Sequence, residues 1–426
     1  MSSIPRSALI LGGNRTPFAK AGGPYAAASS LDLLTAALDG LVARHGLAGC
    51  RLDEVAGGAV LKHTRDFNLT REAVLGSALA PTTPAVDLGQ ACATGVETVV
   101  YIANKIALGQ ADVGVGAGVD SASDAPLVVS ERLRRAVLRA NRAKTIPQRL
   151  QAIAGIRPRD LAPVPPRVVE PRTGLSMGQH QAATTAAWSI PRDAQDEFAL
   201  ASHQRLAQAW ADGFFDDLVT PYLGVTRDLI LRPDTSLERL ASLRPAFGGP
   251  EGTMTAGNST ALTDGAAAVL LADQGWADAQ GLPGLARVVD AQVAAVDHTA
   301  GDDLLLAPAY AVPRLLARQG MALQDFELFE LHEAFASTVL TTLAAWESPQ
   351  FCRERLGLDA PFGSIDRARL NTTGSSLAAG HPFAATGGRI VATLAKLLHL
   401  RGAGARGLVS VCAAGGQGVA MILEAV

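Results

Sequence analysis

The sequence lacks the cysteine patterns that define several classes of protein. It has only four cysteines, Cys50, Cys92, Cys352 and Cys412, and no two of them have the Cys-x-x-Cys spacing. In a chain of 426 residues this argues against a disulfide framework and against a zinc knuckle. The cysteine content therefore predicts a reducing, cytoplasmic setting.

Long apolar runs and an excess of charge of one sign are also missing. No run approaches the roughly 18 apolar residues of a membrane helix, and the apolar stretch at 8–11 is too short for the core of a secretion signal. The formal net charge of -3 gives no global attraction to nucleic acid, so we expect no nucleic-acid partner. An anionic ligand would need a local basic cluster.

Motifs for metals and nucleotides fail when they are checked residue by residue. The stretch Leu331-His-Glu-Ala-Phe-Ala336 begins like a zinc helix, but Ala336 stands where the second histidine would be. Gly114-Val-Gly-Ala-Gly-Val119 has Val119 at the last glycine position of a dinucleotide fingerprint. The sequence has no Walker A loop either. We therefore expect no metal and no permanently bound cofactor.

The residues that are present predict an α/β protein with a large core. Hydrophobic residues make up 48% of the chain and charged residues 18%, and the length predicts two or more packed units. Apolar strands at 8–12 and 55–61 flank a periodic helix at 31–45. A second region begins near 286, with strands at 286–289 and 328–331 and a helix at 383–398. This alternation predicts a mainly parallel sheet.

The two ends of the chain resemble each other. In the first, Cys92 precedes a predicted helix at 96–107, a turn and a strand at 113–119. In the second, His381 precedes a helix, a turn and a strand at 407–412. A duplicated fold would bring the two helix starts close together. Between the ends, roughly 121–256 is rich in Arg, Pro and Gln and is predicted to be an inserted, largely helical region.

Cys92 lies among small residues, between a predicted strand at 85–88 and a predicted helix. The free amide groups and the positive end of a helix would stabilise a thiolate and lower the pKa of Cys92 from its reference of about 8.5. This placement favours a nucleophile. The alternative is a buried cysteine that only packs.

His381 and Cys412 are the other candidates for chemistry. Pro382 fits the first position of a helix, which would leave His381 at the cap, neutral and able to accept a thiol proton. Cys412 ends an apolar strand and opens a Gly-rich turn, where its thiol could exchange protons and the amide of Ala414 could face an oxyanion. The alternatives are a purely structural cap and a structural cysteine.

Cys92, His332, His381 and Cys412 stand in motifs that together resemble the thiolase family from Leu9 to Ala425. The motifs are Ala91-Cys-Ala-Thr94, His332-Glu-Ala-Phe335, Gly380-His-Pro-Phe-Ala-Ala-Thr-Gly387, Cys412-Ala-Ala-Gly-Gly416, Asn258-Ser-Thr-Ala-Leu-Thr-Asp-Gly-Ala-Ala-Ala268, Arg15-Thr-Pro-Phe18 and Gly174-Leu-Ser-Met-Gly178. Because most members carry Asn at the position of His332, the chain resembles the smaller His-Glu-Ala-Phe subgroup. That subgroup includes bacterial acetyl-CoA acetyltransferases and fatty-acid-oxidation 3-ketoacyl-CoA thiolases.

The resemblance implies a thiolase fold of two repeated βαβαβαββ halves, in a five-layered αβαβα arrangement with an inserted loop domain. We expect an N-terminal half at 1–120 completed by 257–285, the loop domain at 121–256, and a C-terminal half at 286–426. The resemblance also implies a homodimer or a tetramer. A hydratase-dehydrogenase partner is expected if the chain works as the β-subunits of trifunctional complexes do.

The resemblance implies an acetyl-CoA C-acyltransferase that uses acyl-CoA and coenzyme A as substrates. Such an enzyme cleaves 3-oxoacyl-CoA to acetyl-CoA and a shortened acyl-CoA, or runs the reverse Claisen condensation, by ping-pong catalysis. Cys92 would be acylated, His381 would activate it, and Cys412 would move protons. His332 would stand where the family's Asn holds a water. That water and His381 would form one oxyanion hole, and the amides of Cys92 and Ala414 the other.

Four further residues are expected to contact the substrate: Met177, Asn258, Thr260 and Phe335. Thr260 stands where many thiolases have Ser, which leaves the acyl length open. Two other functions remain as alternatives. One is a decarboxylating or condensing enzyme of the same superfold, against which Cys412 counts. The other is a catalytically idle subunit that binds acyl-CoA or anchors a complex.

A basic stretch at 131–159 holds nine Arg or Lys residues and one acid, Glu131. It allows three interpretations. The stretch could be a solvated helix face. Arg134, Arg135 and Arg139 could bind the phosphates of coenzyme A. Interleaved apolar residues such as Val137 could instead form an amphipathic surface for anionic lipid, giving peripheral membrane contact, or for a partner subunit.

Overall fold

The computed structural model describes residues 6–164 and 168–426, so Met1–Pro5 and the end of the proline-rich run at 163–166 lie outside the described residues. The strands are β1 (Ala8–Arg15), β2 (Ala19–Lys20), β3 (Glu54–Gly57), β4 (Ala85–Asp87), β5 (Val113–Ser121), β6 (Pro245–Phe247), β7 (Met254–Thr255), β8 (Thr263–Ala272), β9 (Ala286–Ala295), β10 (Leu328–Leu331), β11 (Arg406–Ala413) and β12 (Gln417–Ala425). The α-helices are α1 (Ser30–His45), α2 (Leu69–Gly76), α3 (Thr94–Ala107), α4 (Glu131–Arg142), α5 (Ile146–Ile153), α6 (Met177–Ala187), α7 (Arg192–Ala211), α8 (Leu237–Ala241), α9 (Gln274–Gln280), α10 (Pro308–Gln319), α11 (Ala336–Glu347), α12 (Pro349–Phe351), α13 (Ser376–Ala379) and α14 (Ala385–Arg401).

Local sequence signals explain where a helix such as α1 begins and ends. The Ser29 side chain accepts a hydrogen bond from the Asp32 amide, and the Asp32 carboxylate accepts one from the Ser29 amide, which together form a capping box. Gly46 ends the helix with a φ of 66°, a left-handed conformation that favours glycine. Leu34 and Leu38 lie on the face that is buried against the sheet.

The sheet is built from two repeats of the same unit. Its strands are ordered β10-β11-β12-β9-β1-β8-β5-β3-β4, and β2 pairs with β8 at the side. In chain order the first half runs β1-α1-β3-α2-β4-α3-β5-β8. The second half runs β9-α10-β10-α11-α14-β11-β12, with a single parallel bridge between Phe329 and Leu370 at the place of β4. The predicted duplication is confirmed.

The expectation of a mainly parallel sheet is wrong. Between the named strands, only β3–β4, β3–β5 and β10–β11 pair in parallel. The centre of the sheet is antiparallel, including β5–β8 and β11–β12. In the second half the tight turn from β11 to β12 imposes antiparallel pairing. In the first half the chain leaves β5, forms the inserted region and returns along β8 in the opposite direction.

Helices α3 and α14 form the central layer between the two halves. Val99 of α3 and Leu394 of α14 share one core with Leu271 of the first half and Val411 of the second. The opposite sides of the sheet are covered by α1 and α2 in the first half and by α10 and α11 in the second. The layers are therefore helix, sheet, helix, sheet, helix, as the resemblance implied.

Several strands differ in length from their predictions, and β3 and β9 show why. β3 ends at Gly57, whereas the apolar run continues to residue 61. The backbone after Gly57 leaves the sheet because the amides of Val60 and Leu61 donate to the buried carboxylate of Asp120, at 3.0 and 2.7 Å. β9 extends to Ala295, because β12 pairs with it along its full length.

The region between β5 and β8 contains α4 to α8 and, in its described residues, only the short strands β6 and β7. Its helical character follows the prediction, and the domain boundaries at 121, 257 and 286 stay predictions. Across 6–164 and 168–426, no helix has both the length and the apolar character that a bilayer crossing requires.

The starts of α3 and α14 touch each other, as the duplication predicted. A Cβ atom added to Gly95 would lie 2.5 Å from the carbonyl oxygen of Ala384, and one added to Gly387 would overlap the amide nitrogen of Val96. Real Cβ atoms do not approach backbone so closely, so both positions require glycine. This contact brings the chain before α3, which carries Cys92, beside the chain before α14, which carries His381.

We predict that Gly95→Ala lowers the free energy of unfolding by about 1–3 kcal/mol, because the added methyl group overpacks this helix contact. Urea denaturation of both proteins measures the difference. Gly76→Ala at the end of α2 is the control, since its Cβ would have only an ordinary 3.5 Å contact with Thr35. Equal stability of the two variants would contradict the prediction.

Candidate active site

A strained turn presents Cys92. The chain leaves β4 and forms a short 3₁₀ turn at Ala91–Ala93 before α3 begins at Thr94. Ala91 has a φ of 46°, a left-handed conformation that costs a residue other than glycine about 1–2 kcal/mol. The Thr94 hydroxyl stabilises the turn by donating to the Ala91 carbonyl and accepting from the Gln90 amide. Nothing in the residue types signals this conformation.

His381 lies beside Cys92, although the predicted helix start is wrong. The helix α14 begins at Ala385 with Ala384 at its cap, so Pro382 is not the first helical residue and His381 does not cap the helix. The Nε2 atom of His381 lies 3.2 Å from Cys92 Sγ, and its Nδ1 atom lies 2.6 Å from Thr386 Oγ1. With Nδ1–H donating to Thr386, Nε2 presents its lone pair to the thiol.

Asp120 at the end of β5 holds the segment before α14 in place. Its buried carboxylate accepts hydrogen bonds from the amides of Val60, Leu61 and Ala384. Burial raises the pKa of Asp120 to about 6, against the opposing effect of these amides. Sequence reasoning missed this role, because the donors come from two segments, one at Val60–Leu61 and one at Ala384, that are distant from Asp120 along the chain.

Burial shifts the pKa of Cys92 in the direction opposite to the predicted one. Loss of hydration raises the pKa of Cys92 to about 12, although the amide groups of Ala414 and of Cys92 itself hydrogen-bond to the sulfur and oppose the rise. Burial, with a smaller effect of the Arg389 charge, lowers the pKa of His381 to about 3. The predicted lowering of the Cys92 pKa is therefore wrong. The predicted neutral imidazole is confirmed, but burial is its cause.

Cys412 and Ala414 lie on the other side of Cys92. β11 packs against the Ala91–Ala93 turn and carries the buried Cys412 near its end. Burial raises the pKa of Cys412, and neighbouring Cys92 adds to the effect. The turn after β11 is fixed by Glu170, which accepts a hydrogen bond of 2.6 Å from the Gly415 amide. Cys92 and Cys412, the two cysteines that the sequence predicted to take part in the reaction, therefore lie close to each other.

His332 completes the catalytic cluster. It directly follows β10, and its ring centre lies 4.2 Å from that of His381. Its Nδ1 atom is 2.8 Å from Ser376 Oγ, whereas its buried Nε2 atom has no hydrogen-bond partner within the described residues. Burial, with the charges of His381 and Arg389, lowers the pKa of His332 well below its ordinary value. A neutral donor beside His381 is the arrangement that an oxyanion hole requires.

The four residues expected to contact substrate fall into two pairs. Met177 and Phe335 pack in the apolar cluster that includes Cys412, and their contact with substrate stays a prediction. Asn258 is buried, and its side chain is bound to the Thr255 amide and to Asp196. The Thr260 hydroxyl donates to the Ala334 carbonyl. A direct substrate contact by this second pair stays a prediction.

A cleft of about 460 Å³ lies close to this cluster. Phe247, Ser259 and Leu377 are among its lining residues, and Phe247 packs edge-to-face on Phe335 at 6.0 Å. Three cations lie along the cleft: Lys20, Arg232 and Arg239. Sequence reasoning missed this set, because Lys20 is distant in sequence and the two arginines do not form a dense run.

The predicted phosphate-binding arginines lie elsewhere. Arg134 and Arg135 both bind Glu131 on their own helix and thereby lower its pKa to about 2. Arg139 lines a separate hollow between α4 and α5. None of the three has a contact with the cleft or with the catalytic cluster in the part of the chain that the structure describes.

The described residues include no group of three or more His, Cys, Asp or Glu side chains that could hold a metal ion. The fold and the cluster of two thiols and two imidazoles define the class of acyl-transferring enzymes. Comparison with known families agrees: residues 8–275 match the N-terminal domain of thiolases and residues 282–425 match the C-terminal domain. The chain belongs to the thiolase family.

Individual relatives match along almost their whole length. The 3-ketoacyl-CoA thiolase of Yersinia pestis (strain Pestoides F) is 40% identical over 422 residues, which cover 98% of this chain and 96% of that protein. The crystal structure of Bacillus anthracis acetyl-CoA acetyltransferase matches with a TM-score of 0.83 at 28% identity, over 100% of both chains. Human mitochondrial 3-ketoacyl-CoA thiolase in complex with CoA matches with a TM-score of 0.81 at 27% identity, over 99% of both chains.

We predict that Cys92 and His381 rest as a neutral thiol and a neutral imidazole at about pH 7, because burial moves their pKa values apart to about 12 and about 3. The ultraviolet difference spectrum between the wild type and Cys92→Ala should then show no thiolate absorbance at neutral pH. Absorbance of one thiolate per chain would mean that the two residues form an ion pair instead.

Proposed function

We propose that this protein is an acetyl-CoA C-acyltransferase that cleaves 3-oxoacyl-CoA with coenzyme A to acetyl-CoA and a shortened acyl-CoA, and that also runs the reverse Claisen condensation. The observation that carries the proposal is the 3.2 Å contact between Cys92 Sγ and His381 Nε2, with a second thiol, Cys412, beside it. One thiol can form the acyl-enzyme while the other moves protons.

In the first half-reaction, Cys92 Sγ attacks the C3 carbonyl of the substrate as its proton passes to His381 Nε2. The developing oxyanion lies against the amides of Cys92 and Ala414. The bond between C2 and C3 then breaks, and the enolate oxygen of acetyl-CoA faces the side chains of His332 and His381. Cys412 gives its proton to C2, which releases acetyl-CoA.

In the second half-reaction, the Cys412 thiolate takes the proton of an incoming coenzyme A thiol. The coenzyme A sulfur attacks the acyl group on Cys92, and His381 returns its proton to the departing Cys92 sulfur. Both cysteines and the histidine end as they began. The complete set of four reactive residues argues against the catalytically idle alternative.

We propose that coenzyme A enters through the cleft, with its phosphates near Lys20, Arg232 and Arg239 and its thiol arm past Ser259 and Leu377. Arg239 already pairs with Asp234 in the same cleft, whereas Arg232 has no side-chain partner among the described residues, so an anionic group on the ligand would compensate the charge of Arg232. That human mitochondrial 3-ketoacyl-CoA thiolase was solved with CoA supports binding of the same ligand.

We also propose that the hairpin of α4 and α5 contacts anionic lipid from the cytoplasmic side. Val137, Ile146 and Leu150 are exposed on it, and Arg139 has no ion-pair partner in the described part of the chain. Apolar side chains interleaved with cations match such a surface. A hydratase-dehydrogenase subunit is the alternative occupant, and assembly into a homodimer or a tetramer remains part of the proposal.

We predict that Cys92→Ala loses acylation by acetyl-CoA and lowers kcat by roughly 10³-fold or more, because the nucleophile is removed. By contrast, Cys412→Ser should still be acylated by acetyl-CoA, as measured by intact mass, but should lose Claisen turnover. Normal acylation of Cys92→Ala, or equal loss of both half-reactions in Cys412→Ser, would contradict the assigned roles.

We predict that the two basic regions have separate functions. Arg232→Gln should raise KM for coenzyme A about tenfold with little change in kcat, since a charge-assisted hydrogen bond contributes about 1.5 kcal/mol or more. Combined neutralisation of Arg134, Arg135 and Arg139 to Gln should leave that KM unchanged but reduce binding to phosphatidylserine vesicles at low salt. The opposite pattern would show that the hairpin, rather than the cleft, binds coenzyme A.

A further inference from the structure

We infer that Arg389, acting through the hydroxyl of Ser376, fixes the tautomer of His332 so that its Nε2 atom carries the proton that the enolate oxygen needs. The inference rests on the oxyanion role of His332 under the proposed function. It concerns residues that neither touch the substrate nor belong to the catalytic cluster. Arg389 and Ser376 are therefore positioning residues.

A chain of two hydrogen bonds joins these residues. Arg389 Nη2 lies 2.8 Å from Ser376 Oγ, and Ser376 Oγ lies 2.8 Å from His332 Nδ1. A guanidinium can only donate, so the serine oxygen accepts from Arg389. The single hydroxyl proton of Ser376 then has His332 Nδ1 as its acceptor among the described contacts. Because Nδ1 accepts, the proton of the neutral ring lies on Nε2.

The surroundings of His332 Nε2 agree with donation from the Ser376 hydroxyl to Nδ1. It is buried, has no partner within the described residues, and its ring lies against that of His381. A buried donor without a partner is costly, and such groups occur where a site is prepared for a charge. The opposite tautomer would place a lone pair at the same point and repel an enolate oxygen.

Arg389 is buried, and it contacts both serines through one nitrogen. The same Nη2 atom also donates to Ser375 Oγ at 3.1 Å, and the acids Glu330 and Glu333 lie close enough to influence its charge. Burial lowers the pKa of Arg389 to about 10, so it remains a cation at neutral pH. The Glu333 carboxylate is in turn bound by Ser202, Asn371 and the Leu377 amide.

Ser375 supplies a matched control for Ser376. Both hydroxyls accept from the same nitrogen of Arg389, but in the described contacts only Ser376 reaches His332. Ser376→Ala removes the proton donor to Nδ1 and leaves the tautomer of His332 unspecified. Ser375→Ala removes an equal number of atoms from the same buried network and leaves the chain to His332 intact.

The experiment combines nitrogen-15 NMR of histidine-labelled protein with kinetics. In the wild type and in Ser375→Ala, His332 should show a protonated Nε2 and an accepting Nδ1, and in Ser376→Ala this signature should be lost. Ser376→Ala should lower kcat for thiolytic cleavage about 10- to 100-fold, somewhat less than the ~10²–10³ seen when an oxyanion donor is removed outright. Its KM for coenzyme A and its acylation by acetyl-CoA should stay near those of the wild type.

A further experiment, in which Ser376→Ala is combined with His332→Ala, separates this inference from the proposed function. If Ser376 acts only through His332, Ser376→Ala should have no further effect on kcat in the His332→Ala variant. A wild-type spectrum with the proton on Nδ1, equal kinetic losses in the two serine variants, or a full Ser376→Ala loss in the His332→Ala background would each overturn the inference. Failure of the wild type to form an acyl-Cys92 would instead overturn the proposed function.

Discussion

The contact between the first turns of α3 and α14 is the constraint on which the site depends. Glycine at 95 and 387 lets two helices from different halves approach backbone to backbone. Neither half contains a complete catalytic set: Cys92 comes from the first, and His332, His381 and Cys412 come from the second. The packing of the central layer therefore positions reacting atoms as well as stabilising the core. A small shift between these helices would change the distance from sulfur to imidazole directly.

His332, His381 and Cys412 are buried and Cys92 is partly buried, and this determines how the chemistry begins. Because a thiolate and imidazolium pair would lose hydration here, we expect the proton to stay on sulfur at rest. Transfer to His381 becomes favourable only as sulfur attacks a carbonyl and its charge moves to an oxygen that amides can bind. Burial thus couples deprotonation to the presence of substrate and protects the free thiol from side reactions.

The sequence was sufficient to predict the duplication, because Cys92 and His381 each precede a helix, a turn and a strand. It also singled out Cys92, His332, His381 and Cys412, which the structure brings together, although their roles stay predictions. It was insufficient wherever the outcome depended on burial or on distant segments. The pKa of Cys92 follows from loss of hydration, which residue types near it do not report. The carboxylate of Asp120 accepts from the amides of two segments, Val60–Leu61 and Ala384, that are both distant from it along the chain. Lys20 and Arg232 share a cleft only after folding. The predicted start of α14 was wrong because Pro382 fits a first helical position equally well in a turn that precedes the helix.

The place of β8 in the sheet has a consequence for synthesis on the ribosome. β8 pairs with both β1 and β5, yet the whole inserted region lies between β5 and β8 along the chain. Until β8 emerges, β1 and β5 each expose an unpaired edge, a state in which strands readily pair with the wrong neighbour. The second half has no such delay, since β12 follows β11 after a tight turn. The nascent chain thus completes its first sheet only after the insertion has been made, and its central helix layer only when α14 arrives near the end of translation.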